Sequence, residues 1–195
     1  TVEDNTEFGI LYSNGKLPLL DEDALTEMLS FTSGFLENND YRRYEISNFA
    51  KPGFECRHNL LYWKGEDYIG LGAGAHSHIS SSRLSPWGVR WANLNNPDVY
   101  MKAVLEGKRP LAFTEYLEKE EAIEDKILMG LRLQEGISLT SIKERFGIKL
   151  RSDKLDSLID GGFLVLSGDL IRLSRNGVLV SNELIMRVID SLILK

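Results

Sequence analysis

Tyr44-Glu45-Ile46-Ser47-Asn48-Phe49-Ala50-Lys51-Pro52-Gly53-Phe54-Glu55-Cys56-Arg57-His58-Asn59-Leu60-Leu61-Tyr62-Trp63 is the stretch on which the reading of this chain turns. Its opening, residues 41–47, predicts a strand, which Pro52-Gly53 closes. Reactive side chains follow: Cys56, the only cysteine, stands two residues before His58. The remaining histidines, His76 and His78, lie in residues 67–78, a second segment read as a strand and rich in small residues. Every His and the Cys therefore fall between residues 56 and 78, where any chemistry of the chain's own is expected. A lone Cys is more often a small buried hydrophobe than a ligand. Tyr62-Trp63 beside His58 offer flat aromatic surface for a planar macrocycle, or are two ordinary core rings.

Composition narrows the field around that stretch. The chain has 195 residues, 43% hydrophobic and 27% charged, which fits one or two globular domains and excludes disordered or collagen-like classes. No apolar run approaches the roughly 20 residues of a membrane helix. The opening Thr1-Val2-Glu3-Asp4 has neither an initiator Met nor the charged and apolar regions of a signal peptide. Its abrupt start is what a piece of a longer protein would show. A net charge of −6 without a basic stripe argues against nucleic acid and anionic membranes as partners. One cysteine excludes an internal disulfide framework and a multi-cysteine zinc site, and fits a reducing, cytoplasmic setting.

Along the chain, Asp21 caps an acidic first turn. Leu25, Met28, Leu29, Phe31 and Phe35 then predict a helix over residues 22–38. Residues 80–97 show no periodicity and read as a loop; residues 99–106 read as a short helix stopped by Gly107. A boundary is expected at Arg109-Pro110. Beyond it, Ile123, Ile127, Leu128 and Leu131 mark a helix, and residues 139–146 and 152–159 mark two more. Residues 163–173 form a hairpin turning at Ser167-Gly168-Asp169, and Leu179, Leu184 and Val188 stripe a last helix. The expected fold is thus α/β over residues 1–108, followed by a helical, winged-helix-like module over residues 109–195.

Three motifs compete for a role. Gly70-Leu71-Gly72-Ala73-Gly74-Ala75 has the spacing of a dinucleotide fingerprint, but His76-Ser77-His78 after it will not start a helix. The glycines are read instead as letting a ligand or another backbone lie close. His76 and His78, two apart on a strand, share a face. Without a third ligand they read as one pocket histidine and one at a polar strand end rather than a metal pair. The module's candidate recognition helix carries Asp153, Asp156 and Asp160 against Arg151 and Lys154, too acidic for a groove. A docking role suits it better.

The opening stretch closely resembles the oxygen-independent coproporphyrinogen III oxidase-like radical SAM proteins. Within it, His58-Asn59-Leu60-Leu61-Tyr62-Trp63 is similar to the H-N-x-x-Y-W signature of the haem chaperone (HemW) branch. Residues 67–77 resemble the family's last barrel strand, and Thr1-Val2-Glu3-Asp4-Asn5-Thr6 its T-x-E-x-x-T element. The resemblance implies the C-terminal portion of a partial TIM-like barrel followed by the family's C-terminal domain. It implies haem contacts at His58, Asn59, Tyr62 and Trp63, with the His58 imidazole as axial ligand. Val2, Ala75 and His76 would lie near S-adenosyl-L-methionine. Family members hold a 4Fe-4S cluster on a C-x-x-x-C-x-x-C loop. This chain has one cysteine, so the cluster and any radical chemistry would belong to a full-length parent. The implied function is haem binding and transfer to an acceptor protein, with porphyrinogen oxidation and non-catalytic nucleic-acid or protein docking as alternatives. Severed from barrel neighbours, the chain is expected to associate with itself through the edge of a strand at its start.

Overall fold

Thr6 starts the first helix by a local device. Its hydroxyl donates to the Glu3 carbonyl at 2.6 Å and accepts the Gly9 N–H at 3.0 Å, capping α1 (Glu7–Ser13). A side chain at Gly9 would collide with the Glu3 carbonyl, which explains the spacing of Glu3, Thr6 and Gly9. The Asp21 carboxylate accepts the Ala24 N–H at 2.7 Å and caps α2 (Glu22–Glu37). These helices make up the first of two compact units, Thr1–Asn39; the second is Asp40–Lys195. The computed structural model describes residues 2–4, 6–150 and 153–192. Thr1 and Asn5 of the T-x-E-x-x-T element, and Arg151 of the acidic helix, lie outside the described residues. Among the described residues of the first unit there is no strand, so the strand edge expected at the start of the chain is not there. The unit instead turns apolar side chains outward: Phe31 is 73% exposed and Phe8 64%.

The second unit opens with β1 (Arg42–Arg43), paired antiparallel to β2 (Phe49–Ala50). The strand expected over residues 41–47 is thus cut to two residues, because Glu45 bends the chain. Its buried carboxylate accepts the Ser47 N–H at 3.0 Å and the Asn48 amide at 2.5 Å, closing a turn. Next come α3 (Arg57–Lys64), β3 (His76–Ile79), β4 (Val89–Asn93), α4 (Pro97–Leu105) and β5 (Leu111–Tyr116). The antiparallel order β3-β4-β5 runs across the expected boundary at Arg109-Pro110. Residues 80–97, read as a loop, contain β4.

The remainder comprises α5 (Lys119–Gly130), β6 (Ile137–Ser138), α6 (Leu139–Phe146), α7 (Asp153–Asp160), β7 (Leu164–Ser167), β8 (Leu170–Leu173), α8 (Arg175–Leu179) and α9 (Ser181–Leu192). Its sheet has the order β6-β8-β7, all antiparallel. The hairpin between β7 and β8 turns on Gly168, at φ +61°. Asp169, beside it, accepts the Thr140 N–H at 2.9 Å and the Thr140 and Ser138 hydroxyls, tying the turn to the start of α6. Gly136, at φ +76°, leaves room for the Ile171 carbonyl that a Cβ would strike. The main core lies here: Ile127, Leu131, Ile142, Leu164, Ile171, Ile185 and Val188 are almost fully buried. The chain is therefore mixed α/β, and no sheet among the described residues closes into a barrel.

Candidate functional site

The site is built on α3, an element the sequence reading left as a short unassigned segment. Cys56 precedes the helix as its N-cap without a side-chain cap bond, and Gly65, at φ +65°, ends it. Cys56 is an exposed free thiol. Helical spacing places His58 and Tyr62 one turn apart on one face. The Tyr62 hydroxyl and His58 Nε2 are 3.0 Å apart, and the rings meet edge to face at 4.9 Å between centroids. His58 is exposed, whereas Asn59, Tyr62 and Trp63 are half-buried. The Asn59 amide donates to the Tyr44 hydroxyl at 3.4 Å. Trp63 faces the Arg132 guanidinium, 5.4 Å from its ring, and its buried Nε1 has no partner among the described residues.

Packing against α5 holds α3 in place. Lys126 Nζ donates at 3.0 Å to the Lys64 carbonyl, setting a cation at the negative end of the helix. Lys64 pairs with Glu135 at 3.4 Å. The inner side of α3 borders a cavity of about 360 Å³ between the β3–β4 sheet and helices α5 and α6. Tyr62 links the two sides of α3: its ring meets Tyr68 at 4.6 Å, and Tyr68 lies 6.0 Å from His78. His76 and His78 line this same cavity, in keeping with alternate positions on β3. His76 is exposed, its ring 6.0 Å from Phe113. Among the described residues, no group of three or more His, Cys, Asp or Glu could hold a metal ion.

Before β3, the expected strand over residues 67–78 gives way to a glycine loop. Tyr68 bridges back to His78 by two backbone hydrogen bonds, of 2.8 and 3.0 Å, so the chain reverses between them. Gly72 and Gly74 take φ +105° and +70°, and a Cβ at Gly70 would collide with the His76 carbonyl. The glycines thus admit another stretch of backbone, with the Asn93 amide donating to the Gly72 carbonyl at 2.9 Å. Ala75 ends the loop, its carbonyl accepting the Asn93 N–H at 2.9 Å. Val2 belongs to the first unit and is half-buried.

Charge in the cavity is arranged unevenly. Arg90 donates to Glu115 at 2.5 Å and to Asp125 at 3.0 Å. That bond holds the Glu115 carboxyl below its ordinary range, while burial pushes Asp125 up. Burial likewise raises the Tyr68 phenol and lowers the Lys126 ammonium. Sequence reading missed Tyr68, Arg90, Asp125, Lys126 and Arg145. Arg90, Asp125, Lys126 and Arg145 reach the cavity from other parts of the chain, while Tyr68 stands in the same segment as His76 and His78.

Residues 117–180 match the family described as HemN C-terminal domain. The chain is 34% identical over 185 residues to the heme chaperone HemW of Bacillus subtilis, covering 93% of this chain and 47% of that protein. With HemW of Escherichia coli it shares 31% identity over 189 residues, covering 95% and 47%. The chain spans about half the length of the curated relatives it matches. The solved structure of coproporphyrinogen III oxidase HemN from Escherichia coli, a radical SAM enzyme, superposes with a TM-score of 0.64 at 18% identity. That match covers 92% of this chain and 44% of the other, and establishes likeness of fold.

Proposed function

We propose that this chain, a member of the HemN/HemW family, works as part of a haem chaperone, presenting His58 to bind haem that is then handed to an acceptor protein. The observation that carries the reading is an exposed imidazole on a short helix, flanked one turn on by Tyr62. Haem here is cargo, and the protein's task is reversible ligation. An imidazole nitrogen supplies the axial bond, and Tyr62 offers its aromatic face to the macrocycle. Asn59, on the Tyr44 hydroxyl, and Trp63, beside the Arg132 guanidinium, brace α3. Their half-buried positions suit support better than direct contact.

The same reading assigns Val2, Ala75 and His76 to the neighbourhood of S-adenosyl-L-methionine, in a cytoplasmic protein. It divides the chain at about residue 108 into the end of a radical SAM barrel and a winged-helix-like C-terminal domain. The helix, strand, helix, helix and hairpin order of α5, β6, α6, α7 and β7–β8 supports that last description. A 4Fe-4S cluster does not fit these residues, because the single Cys56 caps α3 and no other thiol exists. No radical step is therefore derived for them.

The test is His58→Ala. Optical titration with haem should show at least about a tenfold loss of affinity and an altered Soret band, while circular dichroism stays unchanged. Unaltered affinity and Soret position would make His58 a surface residue without this role.

A further inference from the structure

Two cations face the cavity: their hydrogen bonds go to backbone carbonyls, and Arg145 also lies 5.2 Å over the Phe146 ring. Lys126 spends one of its three N–H donors on the Lys64 carbonyl, and Arg145 donates to the Ser80 carbonyl at 2.6 Å. Among the described residues neither has a carboxylate within ion-pair distance. Asp125, the carboxylate of the cavity wall, is engaged by Arg90. The charge on Arg145 adds to burial in depressing Lys126, so the two like charges feel one another in a partly dry space. The opposite requirement, an apolar surface, is met by rings: Trp87 and Phe146 stack at 5.9 Å and 24°, and Tyr62 and Tyr68, 4.6 Å apart, also line the cavity.

We propose that this cavity binds a small organic carboxylate with a planar apolar body, its carboxylate on Lys126 and Arg145 and its body against the aromatic rings. Two cations without a direct ion pair, influenced only through space by Glu66 and Glu135 at Lys126 and by Asp67 at Arg145, gain from an anion that brings little water with it. Charge-assisted hydrogen bonds from ammonium and guanidinium are the strong kind. A cavity of this volume, with aromatic rings beside convergent polar and charged groups, is of the size that takes a small molecule. The carboxylate has two possible sources, a free metabolite-sized acid or a propionate of a tetrapyrrole. The second rests on the haem reading above.

Calorimetric titration of the whole chain with benzoate probes the free acid. Haem against haem dimethyl ester probes the propionate. In at least one arm, Arg145→Gln and Lys126→Met should each weaken binding about tenfold or more, and Arg145→Lys should keep part of it. Thermal melting of each variant checks the fold, and the Arg145→Lys comparison carries the test if a charge-removing variant melts early. Benzoate that does not bind, together with an ester as good as haem, would overturn the proposal. So would binding that none of the substitutions weakens. His58→Ala should weaken the haem arm by about tenfold or more and leave benzoate untouched, so a failure of the haem reading stays distinguishable from a failure here.

Discussion

Tyr62 governs what His58 can do. Of the two imidazole nitrogens, Nδ1 lies beside Cβ and the helix backbone, where a macrocycle would collide. If His58 ligates haem as proposed, the iron takes Nε2, the atom now engaged by the Tyr62 hydroxyl at 3.0 Å. Such ligation has to break that bond, so the Tyr62 hydroxyl would compete with the metal while the ring still packs on the macrocycle. A neutral hydrogen bond contributes about 0.5–1.5 kcal/mol net. Tyr62→Phe keeps the ring and removes the competition, so haem affinity should rise by about two- to tenfold in the same optical titration. A fall in affinity would mean that the hydroxyl assists haem binding instead of competing with it. The i, i+4 spacing of His58 and Tyr62 was legible from the sequence once the segment was taken as a helix. The partner atom was not, because it depends on side-chain rotamers.

Among elements, the turn between β7 and β8 shows how one carboxylate joins a hairpin to a helix. Hydroxyl donation from Ser138 and Thr140, with the Thr140 N–H, holds Asp169 below its ordinary value of 3.8. A carboxyl depressed in the folded state stabilises at pH values above its unfolded pKa. That stability is lost as pH falls through the folded value. Asp169→Asn should lower the urea midpoint at pH 7. The difference from the parent should shrink as pH falls through the depressed folded-state pKa of Asp169, below the ordinary carboxylate range, where the parent's own carboxylate becomes protonated. A midpoint difference independent of pH would show that Asp169 acts through its shape alone. The hairpin and its turn were readable, since Gly168 between apolar strands is a local signal. The clamp on α6 was not, because Ser138 and Thr140 are some thirty residues away (31 and 29).

At the scale of the molecule, burial is unequal. Ile127 and Ile185, both fully buried, sit in the core formed by α5–α9 and their sheet. Ile127→Ala should cost about 2–5 kcal/mol in chemical denaturation, the range for emptying a packed aliphatic site. Earlier parts of the chain leave large apolar side chains in water: Leu71 is 88% exposed, Leu84 90% and Phe54 81%. Such surface tends to be covered. The chain by itself is therefore predicted to associate, through helix and loop surface rather than the strand edge first expected. Sedimentation velocity at several concentrations should give a rising weight-average coefficient. A concentration-independent monomer would contradict it.

The amino-acid sequence alone determined whatever depends on near neighbours. The stripes of Ile123, Ile127 and Leu131 and of Leu184 and Val188 predict α5 and α9. Asp21 announces α2, Gly168 the hairpin, and the one cysteine removes a three-thiolate cluster from consideration. Spacing of three or four residues sets these outcomes, and the chain carries it explicitly. Tertiary structure alone decided that Glu45 would bridge to Leu133 and that the Asn93 amide would reach the Gly72 carbonyl. It also decided that β4 and β5 would pair across Arg109-Pro110, and that Lys126 and Arg145 would share a cavity with Tyr68. Each of these needs two groups brought together from distant positions, and a buried carboxylate, strand edge or cation finds its partner only when the packed fold supplies it.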